Sequence, residues 1–239
     1  MSLFKDISSL IFPTRCISCI RDIPDVASNI CLNCKRTVGT DALVNNRGTL
    51  KIFAGSKYSL VTSRIILGAK ERNQTLARNV LVEGLERALA RATKQSSIDS
   101  KLHNPTIVLV PIPSRKAADR VRGFSHIDLL VAQFVRDNPQ INFRILNCLF
   151  HTRKIRDQST LNIGARELNM SGAFAIKQSF ENEILKTLTP NANPSALIFI
   201  VDDLVTTGST VQAAARALNH LGVRVNGVLA SCATDGFSH

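Results

Sequence analysis

The sequence ALIFIVDDLVTTGST, residues 196–210, is the most informative stretch of this 239-residue chain. Its apolar run, residues 198–201, predicts a buried strand of a parallel sheet. The strand brings two adjacent carboxylates, Asp202 and Asp203, to its carboxyl end, which is where open α/β sheets bind ligands. The hydroxyl-rich and glycine-containing residues 206–210 then lead into a helix. Consecutive backbone N–H groups at such a helix N-terminus form a cradle for one phosphate.

These two features together predict the chemical class of the ligand. Carboxylates accept hydrogen bonds from sugar hydroxyls, and the cradle binds an anion, so the site suits a ribose phosphate. The residues of the predicted phosphate cradle are Thr206, Thr207, Gly208, Ser209 and Thr210. The chain lacks the glycine-rich motifs of nucleoside triphosphate and dinucleotide sites. The alternative is that two solvent-facing acids precede an ordinary capped helix.

The rest of the chain alternates between strand and helix patterns, which predicts an α/β fold with a parallel sheet flanked by helices. The predicted strands cover residues 50–58, 106–112, 144–150, 197–201 and 223–232. The predicted helices cover residues 3–12, 76–92, 126–137 and 210–221. Two polar stretches, residues 93–104 and 177–195, are predicted to be a linker and a loop.

Four of the six cysteines lie within 19 residues and form a C-x2-C-x11-C-x2-C pattern at Cys16, Cys19, Cys31 and Cys34. Two such pairs complete the tetrahedral four-sulfur shell that Zn²⁺ prefers, so we predict a structural zinc module. Disulfides, another metal or vestigial cysteines are the alternatives. We expect residues 1–47 to form this module and residues 48–239 to form a second domain with a separate core.

The chain carries a formal charge of +12, and residues 48–175 hold 20 basic against 9 acidic side chains. Such a basic middle attracts polyanions, namely nucleic acid, a polyphosphorylated metabolite or acidic lipid headgroups. A basic solvated surface without a specific partner is the alternative. No apolar window is long enough to span a membrane, and charged residues interrupt the N-terminal apolar stretch. We therefore expect a cytoplasmic protein without a signal peptide.

Several motifs resemble known families. Residues 196–210 resemble the loop that binds phosphoribosyl pyrophosphate (PRPP) in type I phosphoribosyltransferases. Five features resemble, in this order along the chain, the ComF (GntX-like) competence family: the cysteine module, Lys70 after an apolar segment, residues 110–126 (VPIPSRKAADRVRGFSH), residues 153–174 (RKIRDQSTLNIGARELNMSGAF) and the terminal strand, loop and helix. The resemblance covers nearly the whole chain. It implies a type I phosphoribosyltransferase-like sheet behind a four-cysteine zinc module, and a role in DNA uptake during natural transformation.

The resemblance also implies roles for individual residues. Asp202 and Asp203 would bind the ribose hydroxyls, and residues 206–210 would hold the 5′-phosphate. A pyrophosphate loop, with Mg²⁺ carried by PRPP, would consist of Arg115, Lys116, Arg120, Arg122 and Gly123. A mobile hood would contain Arg153, Gln158, Arg166 and Asn169, although the same residues could form a basic surface loop. No catalytic residue is assigned, because phosphoribosyl transfer depends on electrostatics and positioning rather than on a covalent nucleophile.

Two functions of different class fit these sequence features. The chain could transfer phosphoribose from PRPP to a base or an amine. Alternatively, it could bind PRPP or another ribose 5-phosphate as a ligand, while its basic middle contacts single-stranded DNA or the DNA-uptake machinery. We favour the binding protein. The sequence leaves open the acceptor and whether the chain forms a homo-oligomer.

Overall fold

The computed structural model describes residues 15–23, 30–39, 42–95, 105–152, 172–188 and 196–235. The helices are α1 (Leu32–Val38), α2 (Leu60–Arg72), α3 (Thr75–Gln95), α4 (Lys116–Arg122), α5 (His126–Asp137), α6 (Gln178–Thr187) and α7 (Ser209–Asn219). The strands are β1 (Leu43–Arg47), β2 (Leu50–Ala54), β3 (Ile107–Pro111), β4 (Phe143–Ile145), β5 (Leu149–His151), β6 (Phe174–Ile176), β7 (Leu197–Val205) and β8 (Gly227–Ala233). The helix predicted at residues 3–12 lies outside this part of the chain.

The main sheet has six strands in the order β1-β2-β8-β7-β3-β4. Strand β1 pairs antiparallel with β2, and every other neighbouring pair is parallel. Strands β5 and β6 form a separate antiparallel pair. The prediction of an α/β fold with a mostly parallel sheet flanked by helices is therefore confirmed.

Strand β7 has one hydrophobic cluster on each of its faces. Phe199 and Val201 belong to the cluster that contains the apolar side chains of α3 and α5. Ile198 and Ile200 belong to the cluster that contains those of α6 and α7. Because successive side chains of a strand point to opposite faces, Asp203 shares the face of Val201, and Asp202 points the other way.

The prediction of a loop over residues 177–195 is wrong for residues 178–187, which form helix α6. Phe180, Ile184 and Leu188 are spaced four residues apart and form an apolar stripe in an otherwise polar segment. Ile184 is fully buried and Leu188 nearly so. The stripe packs against the sheet, and this burial stabilises the helix. The polar composition of the segment had indicated a loop instead.

The strand predicted at residues 144–150 is two strands in two different sheets. Strand β4 pairs with β3, and β5 pairs with β6. Between them, the carbonyl of Cys148 accepts a hydrogen bond from the backbone N–H of Lys177, which brings the chain away from the main sheet. Cys148 and Cys232 are both fully buried.

The expectation of a separate core for residues 1–47 is also wrong where the structure describes them. Cys16, Cys34 and Val38 belong to the same hydrophobic cluster as Ile65 of α2 and Leu85 of α3. Strand β1 is the edge of the main sheet. The domain division at residue 47 stays a prediction, and the β1–β2 hairpin spans it. No helix in the described ranges is long and apolar enough to cross a membrane.

Candidate functional site

The four N-terminal cysteines lie close enough together to share one metal ion. Their Sγ atoms all lie within 4.8 Å of one another, and those of Cys19 and Cys31 are 3.6 Å apart. Sulfurs around a tetrahedral Zn²⁺ are about 3.8 Å apart when each Zn–S bond is about 2.3 Å. None of the four forms a disulfide in the structure. The geometry of the cluster therefore fits a zinc module.

Two of these thiols have shifted pKa values. Burial acts to raise the pKa of Cys16, but backbone hydrogen bonds, the Cys31 N–H among them, outweigh burial and lower the pKa to about 6. Burial and the neighbouring cysteines raise the pKa of Cys34 to about 12. A thiolate at Cys16 supplies the negative charge that attracts a cation, and metal binding would then deprotonate the remaining thiols.

The cysteine module is attached to the helices beside it by polar contacts. The Ser18 hydroxyl donates to the carbonyl of Val61, and Arg64 donates to the carbonyl of Ser18. Arg87 of α3 donates to the carbonyl of Val38, the last residue of α1, and to the carbonyl that follows β2. The module therefore sits on α2 and α3 through backbone carbonyls rather than as an independent unit.

The loop between β7 and α7 holds Gly208 in a left-handed conformation, with φ of 84°. A Cβ atom at this position would lie 2.7 Å from both Cβ and Cγ of Arg47. The buried Arg47 side chain donates to the carbonyls of Thr206 and Thr234, both at 2.9 Å. Arg47 thus supports the loop from beneath, and glycine is required for this close approach.

The predicted phosphate cradle contains hydroxyl groups and the first turn of α7. The Thr207 and Ser209 hydroxyls are 2.8 Å apart. The N–H of Gln212 donates to the carbonyl of Gly208, which begins the helical hydrogen-bond pattern. An α-helix leaves its first N–H groups without intrahelical acceptors, and its N-terminus favours negative charge. The loop therefore provides donors suited to one phosphate.

The two aspartates of β7 differ in surroundings. Asp203 is buried, and its Oδ2 lies 3.6 Å from Nζ of Lys70 and 3.3 Å from Nε2 of His126. Asp202 is half-buried, and its Oδ1 accepts the backbone N–H of Asp203. Strand β7 continues past both residues to Val205, so the carboxylates lie within its last residues rather than beyond its end.

The pKa values of the pair move in opposite directions. Burial acts to raise the pKa of Asp203, but His126 and Lys70 outweigh burial and hold the pKa below its usual range. Burial and the charge of Asp203 raise the pKa of Asp202 well above its usual range. The site therefore holds one firmly ionised carboxylate beside one whose ionisation is costly until a ligand supplies donors or positive charge.

The residues of the predicted pyrophosphate loop follow β3, the neighbour of β7. Arg115, Lys116 and Arg120 are exposed at α4. The Arg122 guanidinium is buried and paired with Glu71 at 3.3 Å and with Asp119 at 2.9 Å. Two carboxylates therefore compensate the charge of Arg122.

Gly123 ends α4 with φ of 78°, and a Cβ atom at this position would have no neighbouring atom within 4 Å. The predicted hood residues, Arg153, Gln158, Arg166 and Asn169, lie outside the residues that the structure describes.

Sequence reasoning assigned no role to three residues that contact the site. Arg47 supports the loop, while Lys70 and His126 contact Asp203. Lys70 and His126 both belong to the motifs that resemble the ComF family, so this resemblance could have indicated them. Arg47 had none, because it is an ordinary basic residue next to a glycine in a hairpin.

No protein-family model matches the chain. The chain is homologous to competence protein F of Haemophilus influenzae, with 28% identity over 145 residues. The match covers 58% of this chain and spans 57% of the length of that relative.

Proposed function

We propose that the chain binds a ribose 5-phosphate that carries a pyrophosphate, namely PRPP with Mg²⁺. The observation that supports this most strongly is the sequence of groups along the end of β7. An ionised, buried Asp203 and a half-buried Asp202 are followed directly by the glycine-centred loop that opens α7. Acceptors for sugar hydroxyls thus lie next to donors for a phosphate.

Each part of PRPP has a counterpart in this proposal. The loop of residues 206–210 takes the 5′-phosphate through N–H and hydroxyl donors. Asp202 and Asp203 accept the ribose hydroxyls. The exposed cations Arg115, Lys116 and Arg120 attract the pyrophosphate, whose Mg²⁺ arrives with the substrate and neutralises part of its charge.

The biological role that we propose is participation in DNA uptake. It rests on the homology to competence protein F and on the excess of positive charge within residues 48–175. Single-stranded DNA is the partner that this charge fits, through its phosphates. In the same proposal, zinc bound by the four cysteines has a structural role, because four sulfur ligands leave no open position for water.

Calorimetric titration with PRPP and Mg²⁺ tests the ligand. We expect saturable binding by the wild-type protein. Asp203→Asn should weaken it by about 1–3 kcal/mol, because a charged hydrogen-bond acceptor is lost. Glu181→Gln is a matched control, since it neutralises a carboxylate on α6. This helix packs on the face of the sheet opposite to the Asp203 side chain.

Equal PRPP affinity in the wild type and Asp203→Asn would contradict the proposal. The same sample, incubated with nucleobases or amines, distinguishes binding from catalysis. Release of pyrophosphate would extend the function to phosphoribosyl transfer, and its absence with intact binding would support the binding protein.

A further inference from the structure

The imidazole of His126 is buried against the carboxylate of Asp203. The His126 side chain is 2% exposed, and its Nε2 lies 3.3 Å from Oδ2 of Asp203. Within the described part of the chain, neither ring nitrogen of His126 nor Oδ2 of Asp203 makes a geometrically good hydrogen bond. Buried polar atoms in native proteins nearly always have a partner. Three such atoms lie beside the candidate ribose site, and a ligand or a small rotation of the side chains would give them hydrogen-bond partners.

Lys70 approaches the same oxygen from a different helix. Its Nζ lies 3.6 Å from Oδ2 of Asp203. Lys70 is in the last turn of α2, whereas His126 is the first residue of α5. Two helices therefore hold one carboxylate oxygen of β7, which restricts the rotation of the Asp203 side chain.

We propose that His126 is a positioning residue for ribose recognition, which holds the Asp203 carboxylate together with Lys70. The inference rests on the proposed function. It assigns to the imidazole a contact with the carboxylate rather than with the ligand.

The test compares His126→Gln and His126→Leu with the wild type by calorimetry with PRPP and Mg²⁺. His126→Leu should weaken PRPP binding about tenfold, because Asp203 loses a polar neighbour. His126→Gln keeps an N–H donor and should recover most of that loss. Circular dichroism confirms that each variant is folded.

Recovery of binding in His126→Gln separates this role from a purely structural one, because glutamine restores an N–H donor but not the shape of the imidazole ring. His220→Gln is the matched control, because His220 is exposed at the end of α7, and it should bind PRPP like the wild type.

The possible failures can be distinguished. Absence of PRPP binding by the wild-type protein would overturn the proposed function and this inference with it. PRPP binding by the wild type with unchanged affinity in folded His126→Leu, or equal losses of affinity in His126→Gln and His126→Leu, would overturn the inference alone.

Discussion

At the scale of single residues, the site is a compromise between ligand binding and stability. Asp203 is stabilised in its ionised form by Lys70 and His126, whereas Asp202 is half-buried beside that charge. An ionised Asp202 is therefore unfavourable in the ligand-free protein. A group that destabilises the fold and lies in a candidate site is typical of residues retained for function.

Neutralising the two aspartates should change thermal stability in opposite directions. Asp202→Asn should raise the melting temperature at neutral pH, because the pKa of Asp202 is raised and its ionised form costs stability above the usual carboxyl range. Asp203→Asn should lower it, because Lys70 and His126 lose their shared anion. The pKa of Asp203 is lowered, so its stabilising contribution should be lost as pH falls through and below the usual carboxyl range. Scanning calorimetry measures the melting temperatures of the wild type and the two variants. A lower melting temperature for Asp202→Asn would contradict the unfavourable ionisation of Asp202.

Gly208→Ala should be more damaging than Gly123→Ala. Both glycines have positive φ, at 84° and 78°, so alanine is similarly strained in both. Only at Gly208 would the new Cβ meet another side chain, Arg47 at 2.7 Å. We expect Gly123→Ala to cost about 1 kcal/mol of unfolding free energy and Gly208→Ala about 1–3 kcal/mol more, from overpacking. Denaturant unfolding checks this, and equal costs would show that Arg47 does not constrain the loop.

The sequence predicts the parts of the site that lie within one stretch of chain. The strand, the acidic pair and the start of the helix follow one another along β7 and α7, so local patterns reveal them. Arg47, Lys70 and His126 reach the site from β1, α2 and α5, and only tertiary packing brings them there. Residue types alone cannot show such convergence.

At the scale of elements, prediction succeeded where the hydrophobic period was regular. Helix α5 spans the predicted residues 126–137, and α3 extends the predicted helix at 76–92 by a few residues. Helix α6 was missed because its apolar stripe is sparse among charged and polar residues. Helix α2 was not predicted either, although Ser59 caps it with a reciprocal hydrogen-bond pair to Thr62.

The contact between the cysteine module and α2 predicts that the two loosen together. In Cys16→Ser, amide hydrogen exchange should accelerate in α2 as well as in residues 30–39, because Ser18 contacts Val61 and Arg64. A chelator should produce the same effect in the wild type and no additional effect in the variant if all four thiolates are needed for zinc. Faster exchange confined to the module would contradict this coupling.

At the scale of the whole molecule, the positive charge is not all available to a partner. Arg47, Arg87 and Arg122 are buried or paired in contacts within the fold, and burial lowers the pKa of Arg47 and Arg87. Arg91 and Lys94, on the same helix as Arg87, are exposed. A polyanion would therefore meet only part of the formal excess.

Binding of single-stranded DNA should weaken with salt at a log–log slope of about 0.7 per phosphate neutralised. Charge reversal at Arg91 and Lys94 should reduce this slope, because both are exposed on α3. Arg216→Glu, on α7 at the opposite face of the sheet, should leave the slope unchanged. Fluorescence anisotropy of labelled single-stranded DNA over a series of salt concentrations measures this slope. A slope near zero for the wild type would exclude direct DNA binding by this surface.

The most direct test of the proposed ribose-phosphate site is to map ribose 5-phosphate onto the protein by backbone amide NMR. We predict saturable shifts of the amide signals of residues 206–210, with smaller shifts at Asp202 and Asp203, and their loss in Gly208→Ala. Saturable shifts confined to another region, or no shifts at concentrations that saturate a millimolar site, would contradict the claim that the end of β7 binds a ribose phosphate.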